Sequence, residues 1–398
     1  MSMDTAVANL ATTMAAEAAL TNSLERLSYA AAGIVKLRKQ FGSTTEIVEA
    51  ETAIQNRIET LAGTVTDLNE LAYAAAGLQH IDNYFNQMQT RYSIKLQKQN
   101  DDACAFGTDL TDVYIETDIV INVNDQAYHF ASGAVVTLPT LILANDYKIY
   151  GTPTGLVAQP YADPAPLNSV LLGGFHVYHT TGGVNPYSLW DILWRPTCNP
   201  RAMTINPGKS AWGDIYLMDV DYGINGYSRP DVKIADGENA ASFPKRPIMY
   251  GGDGTVTYPA MTWFNAQDLA RAHGKRLFRE GEYSHFAYGV VEAQAVGTDP
   301  INTKYQAGHR SLCGLEQATG AMWIWGDDIQ GNAAGGWAAI TDGRGSIYHS
   351  GLTAVILGAD WFSGANAGSR SAYWNYSPSS SSSYLSGRGA CDHLKLVS

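Results

Sequence analysis

The chain has 398 residues, of which 45% are hydrophobic and 16% charged, and it contains 39 Gly, 23 Tyr and 9 Trp. This composition is typical of a loop-rich recognition protein rather than a helical enzyme, and the length is sufficient for two or three domains. The formal net charge of −12 argues against a nucleic-acid backbone as the partner, since phosphate binding requires a basic face.

Residues 1–100 are predicted to form helices, because they contain no proline and are rich in Ala, Leu, Glu and Gln. Apolar residues recur at steps of three and four between Ile58 and Tyr92, which is the spacing of a coiled-coil seam. The sequence LERLSYAAAG at 24–33 recurs as LNELAYAAAG at 68–77. Two related helical segments, too polar to bury alone, favour an oligomerising stalk or attachment module, and a monomeric helical hairpin is the alternative.

The N-terminal segment carries Asp4 and Glu17 and no basic cluster, so a secretory signal is not expected. No stretch of the sequence reaches the roughly 18 uncharged apolar residues that a membrane span needs. We therefore expect no membrane insertion.

Residues 101–172 are predicted to form a small antiparallel β-domain. The segments DVYIETDIVINVND, QAYHFASGAVVTLP and DYKIYGT alternate apolar and polar residues, which is the period of half-buried strands. The proline-rich segment 153–168 is expected to be a loop near the domain boundary.

Residues 173–398 are predicted to form a third domain, in which short strands alternate with long loops rich in Gly, Asn and Ser. Two short helices are expected, one in Thr262–Gly274, where Gly274 would form the C-terminal cap, and one in Arg279–Gly289. Few regular elements and many long loops indicate a domain whose loops carry the function.

The candidate catalytic and metal-binding groups do not form a site in the sequence. In CDH, Cys391, Asp392 and His393 would alternate between the two faces of a strand and cannot form a catalytic chain. Glu282 and His285 have the i, i+3 spacing of half a di-iron site, but a second half is missing. The four cysteines include no CxxC pair, so no zinc site is predicted and disulfides are neither indicated nor excluded; they are Cys104, Cys198, Cys313 and Cys391. We predict no catalytic residue, no metal site and no cofactor.

Several motifs in the third domain resemble those of one protein family. In chain order between Gly173 and Leu394 they are GGFHVYH, YSLWDILWRP, WGDIYLMDV, HGKRL, WIWGDD, DGRGSIY, GSRSAYW and GRGACDHL. They are similar to the phage major tropism determinants, the variable receptor-binding proteins of diversity-generating retroelements. The resemblance covers roughly residues 101–398. It implies an α+β protein in which a small β-sandwich is followed by a C-type-lectin-like domain, assembled as a homotrimer.

The sequence departs from this family at its N-terminus. The family begins with a compact β-rich module, whereas residues 1–100 are predicted to be helical, so the mode of attachment stays open. The KRL, W-x-W and GSR motifs also resemble formylglycine-generating enzymes, which share the fold. Those enzymes use a pair of cysteines in the C-terminal part, and here only Cys391 lies beyond Cys313. The chain is therefore predicted not to be an enzyme, and formylglycine-generating activity is the least favoured alternative.

The resemblance also implies which residues bind the receptor. In this family, template-directed mutagenesis acts at adenines of Asn codons, which cannot thereby become Trp, Gln, Met, Lys or Glu. The segment Gly358–Leu394 contains no Gln, Met, Lys or Glu. Residue by residue, the predicted variable, ligand-binding positions are Asp360, Phe362, Ser363, Gly364, Asn366, Tyr373, Asn375, Tyr376, Ser380, Ser382, Tyr384 and Leu385. The residues predicted to form a fixed scaffold are Trp361, Arg370, Trp374 and Arg388.

This assignment explains the five consecutive serines, Ser379–Ser383. Taken alone, a serine run indicates a flexible linker. Here Ser380 and Ser382 would be variable positions that became Ser, and the other three would be fixed. Alternation on a strand would place the variable pair outward and the fixed three against the scaffold.

The resemblance implies a diversified receptor-binding protein at the tip of a phage tail fibre, and hence on the virion. Its partners would be a protein or glycan of the bacterial surface and other fibre proteins, reached through the helical N-terminus. Tyr and Phe would supply contact area at low entropic cost, and Ser, Asn and Gly adaptable hydrogen bonds. The alternative is a variable protein displayed by a bacterium on its own surface, against which the missing leader counts.

Overall fold

The computed structural model describes residues 3–41, 45–62, 95–124, 126–180, 182–331, 336–339, 346–349 and 351–394. The chain divides into two compact units, Met1–Ile94 and Lys95–Ser398. The second copy of the internal repeat and most of the predicted coiled-coil seam lie outside the described residues.

The described part of the N-terminal unit contains three helices, α1 Met3–Leu20, α2 Leu24–Phe41 and α3 Thr45–Ala62. Their apolar stripes meet in a core that includes Leu27, Ile34, Ile54 and Ile58, all fully buried. The first copy of the repeat, Leu24–Gly33, lies in α2 and packs against α1 and α3 within one chain. The link between α1 and α2 is short, which lets consecutive helices pack against each other within one chain. In the described part of the chain, no helix is both long and apolar enough to cross a membrane.

The first part of the second unit is a β-sandwich, as expected. Its strands are β1 Leu96–Lys98, β2 Phe106–Thr108, β3 Val113–Ile115, β4 Ile119–Val123, β5 Gln126–Phe130, β6 Asp146–Thr152, β7 Gly155–Pro160, β8 Val170–His176 and β9 Trp190–Asp191. They form a sheet of order β1-β4-β5, a sheet of order β7-β6-β8-β9 and the hairpin β2-β3. Ile121 of the first sheet and Ile149 and Leu172 of the second lie in one core, because alternate residues of each strand point inward.

Part of the segment 153–168 was wrongly predicted to be a loop. It contains β7, which pairs with β6 along its whole length and places Leu156 and Ala158 in the core. Pro160 is the last residue of β7, and a proline is tolerated there because β7 is an edge strand. The expected domain boundary after residue 172 falls inside β8, and the sheet continues to β9.

The second part of this unit is built on two further sheets. Its strands are β10 Met203–Ile205, β11 Ala211–Asp214, β12 Arg276–Leu277, β13 Trp323–Gln330, β14 Gly336–Ala339, β15 Ser346–His349, β16 Thr353–Leu357, β17 Ala372–Tyr376, β18 Leu385–Ser386 and β19 Gly389–Asp392. The sheet orders are β10-β11-β19-β12 and β17-β16-β13-β18, and β14 and β15 form a hairpin.

Among the described residues, three short α-helices accompany these sheets, α4 Tyr222–Asn225, α5 Trp263–Arg271 and α6 Glu280–Phe286. Helices α5 and α6 confirm the two that were predicted. The Thr262 hydroxyl caps α5 by accepting a hydrogen bond from the Asn265 N–H. Gly274 follows the end of α5 with a φ of +70°, although the cap residue itself is Ala272.

A buried ion pair fixes the last strand, β19, inside its sheet. Lys275 Nζ lies 2.5 Å from Asp214 Oδ1, and neither side chain is accessible to solvent. The other carboxylate oxygen of Asp214 accepts hydrogen bonds from the Gly389 N–H and the Tyr222 hydroxyl. The HGKRL, WGDIY and GRGACDHL motifs thus meet in one network, which gives them a structural role.

Candidate functional site

The predicted ligand-binding residues lie in one segment between β16 and β19. It comprises the loop 358–371, the strand β17 and the loop 377–384, and it ends in β18. β17 is at the edge of the sheet β17-β16-β13-β18. An edge strand flanked by two loops exposes side chains on a backbone that is held from one side.

Four aromatic side chains of this segment form a connected patch, which we call the aromatic face: Phe362, Tyr373, Tyr376 and Tyr384. Phe362 is 63% exposed and Tyr373 is 45% exposed. The Phe362 and Tyr384 rings meet edge to face at 5.4 Å, and the Tyr373 and Tyr376 rings lie 6.1 Å apart. The Tyr376 and Tyr384 hydroxyls are 2.6 Å apart and join the two halves.

A β-bulge brings Tyr373 and Tyr376 to the same side of β17. Residues three apart on a regular strand point to opposite faces. Here Tyr373 pairs with Ile356 and Tyr376 with Ala354, so β17 has one residue more than β16 between these pairs. Such an extra residue re-aims the side chains that follow it.

The Tyr376 hydroxyl at the centre of the aromatic face remains protonated at neutral pH. Partial burial and the hydrogen bond with Tyr384 raise the pKa of Tyr376 to about 12. Tyr376 therefore offers a neutral hydroxyl group, which can both donate and accept hydrogen bonds.

Two tryptophans of β13, Trp323 and Trp325, lie next to the rings of the aromatic face. Trp323 lies 6.3 Å from the Tyr373 ring, and Trp325 lies 5.9 Å from the Tyr376 ring. Trp325 is fully buried, and its indole N–H donates a hydrogen bond to the Met261 carbonyl. These contacts restrict the rotamers of the tyrosines.

The loop 358–371 is attached to the body of the unit by Glu292. Its carboxylate accepts hydrogen bonds from the Ser369 N–H at 3.0 Å and from the Ser369 hydroxyl at 2.6 Å. Gly368 lies against the same carboxylate, which would have to shift to admit a Cβ there. The GSR motif thus places Gly368 beside the acid and Ser369 in two hydrogen bonds with it.

The serine run adopts turns instead of the predicted strand. Pro378, just after β17, cannot donate to a strand ladder, which accounts for the end of the strand there. The expected alternation is therefore wrong: Ser379, predicted to face inward, is exposed. The run is nevertheless held in place. The Trp263 N–H donates to the Pro378 carbonyl, and the Met261 N–H donates to the Ser381 hydroxyl at 2.9 Å.

Ten of the twelve predicted ligand-binding residues are at least partly exposed. The exposed ones are Phe362, Gly364, Asn366, Tyr373 and Asn375, and the half-buried ones are Ser363, Tyr376, Ser380, Ser382 and Tyr384. The other two, Asp360 and Leu385, are 1% and 0% exposed and cannot contact a ligand in this conformation. Asp360 accepts hydrogen bonds from the Phe362 N–H and the Ser363 hydroxyl, and Leu385 packs in the core.

The four predicted scaffold residues have different environments. Arg388 is fully buried, and Trp361 packs against the rings of Phe362 and Tyr384. Arg370 is exposed and Trp374 is 38% exposed, so burial does not support a scaffold role for these two.

Sequence reasoning missed several residues that shape the site. Glu292 contacts Ser369 and Met261 contacts Ser381. These residues are far apart in the sequence, so no local pattern predicts the contacts. Cys198 and Cys391 also meet, with their sulfur atoms 2.7 Å apart. Their separation in sequence gave no sign of this contact.

The groups considered for catalysis have structural partners. Glu282 forms two hydrogen bonds with Arg276, which also binds Asp392 of the CDH motif at 2.8 Å. His285, which with Glu282 has the spacing of half a di-iron site, is exposed. Within the described residues, no three His, Cys, Asp or Glu side chains are arranged to hold a metal ion.

A phage protein and several solved structures are similar to this chain. The chain is 34% identical over 309 residues to the "Tail fiber receptor-binding protein" of Bordetella phage BPP-1, a match that covers 71% of this chain and 80% of that protein. Among solved structures it resembles the "Major Tropism Determinant I1 Variant", with 34% identity, a TM-score of 0.71 and coverage of 76% of this chain and 87% of that one. The "Major Tropism Determinant M1 Variant" is 33% identical, with a TM-score of 0.70 and the same coverage. No protein-family model matches the chain.

Proposed function

The chain belongs to the family of phage tail-fibre receptor-binding proteins, the major tropism determinants, and we propose that its aromatic face is the surface that binds the bacterial receptor. Its tail-fibre receptor-binding role follows from the family. The observation that supports this location is the connected, exposed patch of Phe362, Tyr373, Tyr376 and Tyr384. Clustered exposed aromatic rings are rare on soluble proteins unless they contact a partner.

The aromatic face suits a broad ligand such as a protein or glycan surface. Aromatic side chains with few rotatable bonds lose little entropy on binding and are enriched among binding hot spots. The half-buried residues Tyr376 and Tyr384 add polar hydroxyl groups, and Asn366 and Asn375 of the same segment are exposed. The face is thus amphipathic, because its apolar rings carry polar hydroxyl groups.

We further propose that the exposed members of the predicted set are diversified positions. Two observations support this: all twelve predicted positions hold residue types that a mutated Asn codon can encode, and ten of the twelve reach the surface. Contacts from Glu292 and Met261 hold the backbone, so that many side chains could be tolerated there. For Asp360 and Leu385 a variable role would require other side chains to fill a buried space.

We also propose how the protein assembles and how it is attached to the fibre. A homotrimer at the fibre tip, with the helical N-terminal unit joining the fibre, would present three aromatic faces at once. Multivalency of this kind can raise avidity roughly 10²–10⁴-fold, so each single site could bind weakly. We propose that the protein acts by binding and not by catalysis, since its named relatives are receptor-binding proteins.

Substitution of the two most exposed rings tests the location of the site. We expect Phe362→Ala and Tyr373→Ala each to weaken binding of the purified protein to receptor-bearing cells by about tenfold or more, because removing a hot-spot ring costs about 2 kcal/mol. Binding would be measured by titration of labelled protein on the bacterial strain that the phage infects.

Tyr288→Ala is the matched control, because Tyr288 is an equally exposed aromatic residue of the same unit outside the segment. Its binding should equal that of the unmodified protein, and all three variants should melt at the same temperature. Unchanged binding in both Phe362→Ala and Tyr373→Ala would place the receptor site elsewhere.

A further inference from the structure

We propose that Cys198 and Cys391 form a disulfide bond when the protein meets an oxidising medium. Both side chains are buried, and all four cysteines of the chain are thiols in the structure. The proposal is independent of where the receptor binds. It assigns a covalent modification to Cys391, which follows the segment that carries the aromatic face, and to Cys198, which follows β9.

The backbone places the two cysteines directly opposite each other. Pro196 and His393 form an antiparallel bridge, and the Thr197 N–H donates to the Asp392 carbonyl. One residue further along each strand, Cys198 faces Cys391. Hydrogen bonds connect the pairs Arg195–Leu394 and Thr197–Asp392, so the cysteines occupy the next, non-hydrogen-bonded position. Opposed residues are closest there, with Cα atoms about 4.5 Å apart, within the range that a disulfide spans.

The sulfur atoms are already closer than packing alone would bring them. Their separation is 2.7 Å, whereas even carbon atoms in van der Waals contact lie about 3.5–4.0 Å apart. Covalent bonding would bring them to about 2.05 Å, a movement of less than one ångström. The other two cysteines differ: Cys313, for example, donates a hydrogen bond to the Phe286 carbonyl.

The surroundings favour the reaction at Cys391. Burial by itself raises the pKa of this thiol, but the hydrogen bond from Cys198 and the charge of Lys275 outweigh it, and the net shift is downward. The pKa of Cys198 is raised, chiefly by burial. Cys391 is therefore the more acidic thiol and the nucleophile of the pair, since the thiolate is the reactive form.

The chemistry balances with a small-molecule disulfide as the oxidant. The Cys391 thiolate attacks one sulfur of the oxidant, forms a mixed disulfide and releases one small thiol. Cys198 then loses its proton, attacks the Cys391 sulfur and releases the second small thiol. The protein loses two hydrogens, and the oxidant gains them.

The bond would connect β19 to the chain segment that follows β9, across a very long loop. A crosslink that closes a long loop restricts the unfolded chain and so favours the folded state. Fibre proteins are made in a reducing cytoplasm and released into an oxidising medium. The bond would therefore stabilise the receptor-binding unit after release.

Thiol counting on the full-length chain tests the proposal without any substitution. The protein is incubated with oxidised glutathione, denatured and alkylated with iodoacetamide, and its peptides are analysed by mass spectrometry. We expect two alkylated cysteines, Cys104 and Cys313, and one linked peptide joining Cys198 to Cys391. After reduction with dithiothreitol all four cysteines should be alkylated.

Thermal unfolding supplies the second measurement. Oxidation should raise Tm by about 5 °C in the unmodified chain, as expected for a typical disulfide in a unit of this size. Cys198→Ala and Cys391→Ala should abolish the rise, and Cys313→Ala should retain it. Four alkylated cysteines after oxidation, or a linked peptide that contains Cys104 or Cys313, would overturn the proposal. Formation of the bond with an unchanged or lower Tm would overturn its stabilising role.

Discussion

At the scale of single residues, Arg388 shows how the structure supports a segment that is free to vary. Its side chain is fully buried, and its guanidinium donates hydrogen bonds to the carbonyls of Asp214 and Ile215 at 2.9 and 2.6 Å. It also donates to the Glu316 carbonyl at 2.6 Å. One side chain thus satisfies buried carbonyls of two loops and ties both to the residue just before β19. Only the planar, multiply donating guanidinium can do this.

Arg388→Lys should lower the free energy of unfolding by roughly 3–5 kcal/mol, because a single ammonium cannot reach both loops and would leave buried carbonyls unpaired. Urea unfolding of the purified chain would measure the change. Arg370→Lys is the matched control, since Arg370 is exposed and its substitution should stay within about 0.5 kcal/mol. Equal stability of the two variants would show that the guanidinium contacts do not hold the loops.

At the scale of elements, the sequence predicted those whose pattern is local. Strands β3 to β6 follow from alternation, and α5 and α6 from their apolar spacing and terminal signals. β7 was missed because it ends in Pro160 and further prolines follow it, and the strand pattern of the serine run failed because Pro378 ends β17. Contacts between distant segments, such as Met261 with Ser381, depend on the tertiary fold and have no local signal.

The serine run itself gives a test with a built-in control. Ser381→Ala removes the hydroxyl that accepts a hydrogen bond from the Met261 N–H. Because Met261 is fully buried, its N–H would be left without this acceptor, and the substitution should lower the free energy of unfolding by about 1–3 kcal/mol. Ser379→Ala changes an exposed hydroxyl two residues away and should be nearly neutral. Thermal unfolding of both variants gives the comparison. Equal melting temperatures would mean that the run is a linker after all.

At the scale of the whole molecule, the chain combines two units with separate cores. The N-terminal core consists of residues from α1, α2 and α3, whereas the cores of the second unit are drawn from residues beyond Lys95. A unit with its own core can in principle fold alone. This organisation agrees with the sequence-based prediction that the resemblance to the family covers roughly residues 101–398.

Residues 95–398 expressed alone should therefore fold and bind cells, yet fail to join the fibre. The fragment keeps the aromatic face, β13 with its tryptophans, and the Lys275–Asp214 ion pair that fixes β19. Calorimetry should show its melting transition at the temperature of the matching transition in the full chain, and cell binding per fragment should be retained apart from any loss of avidity. Incorporation into particles would be measured by complementing a phage that lacks the full-length protein.

If the fragment binds cells but is also incorporated, attachment does not depend on the helical unit. If it unfolds at a much lower temperature, α1 to α3 contribute to the stability of the receptor-binding unit, and the two units do not fold independently.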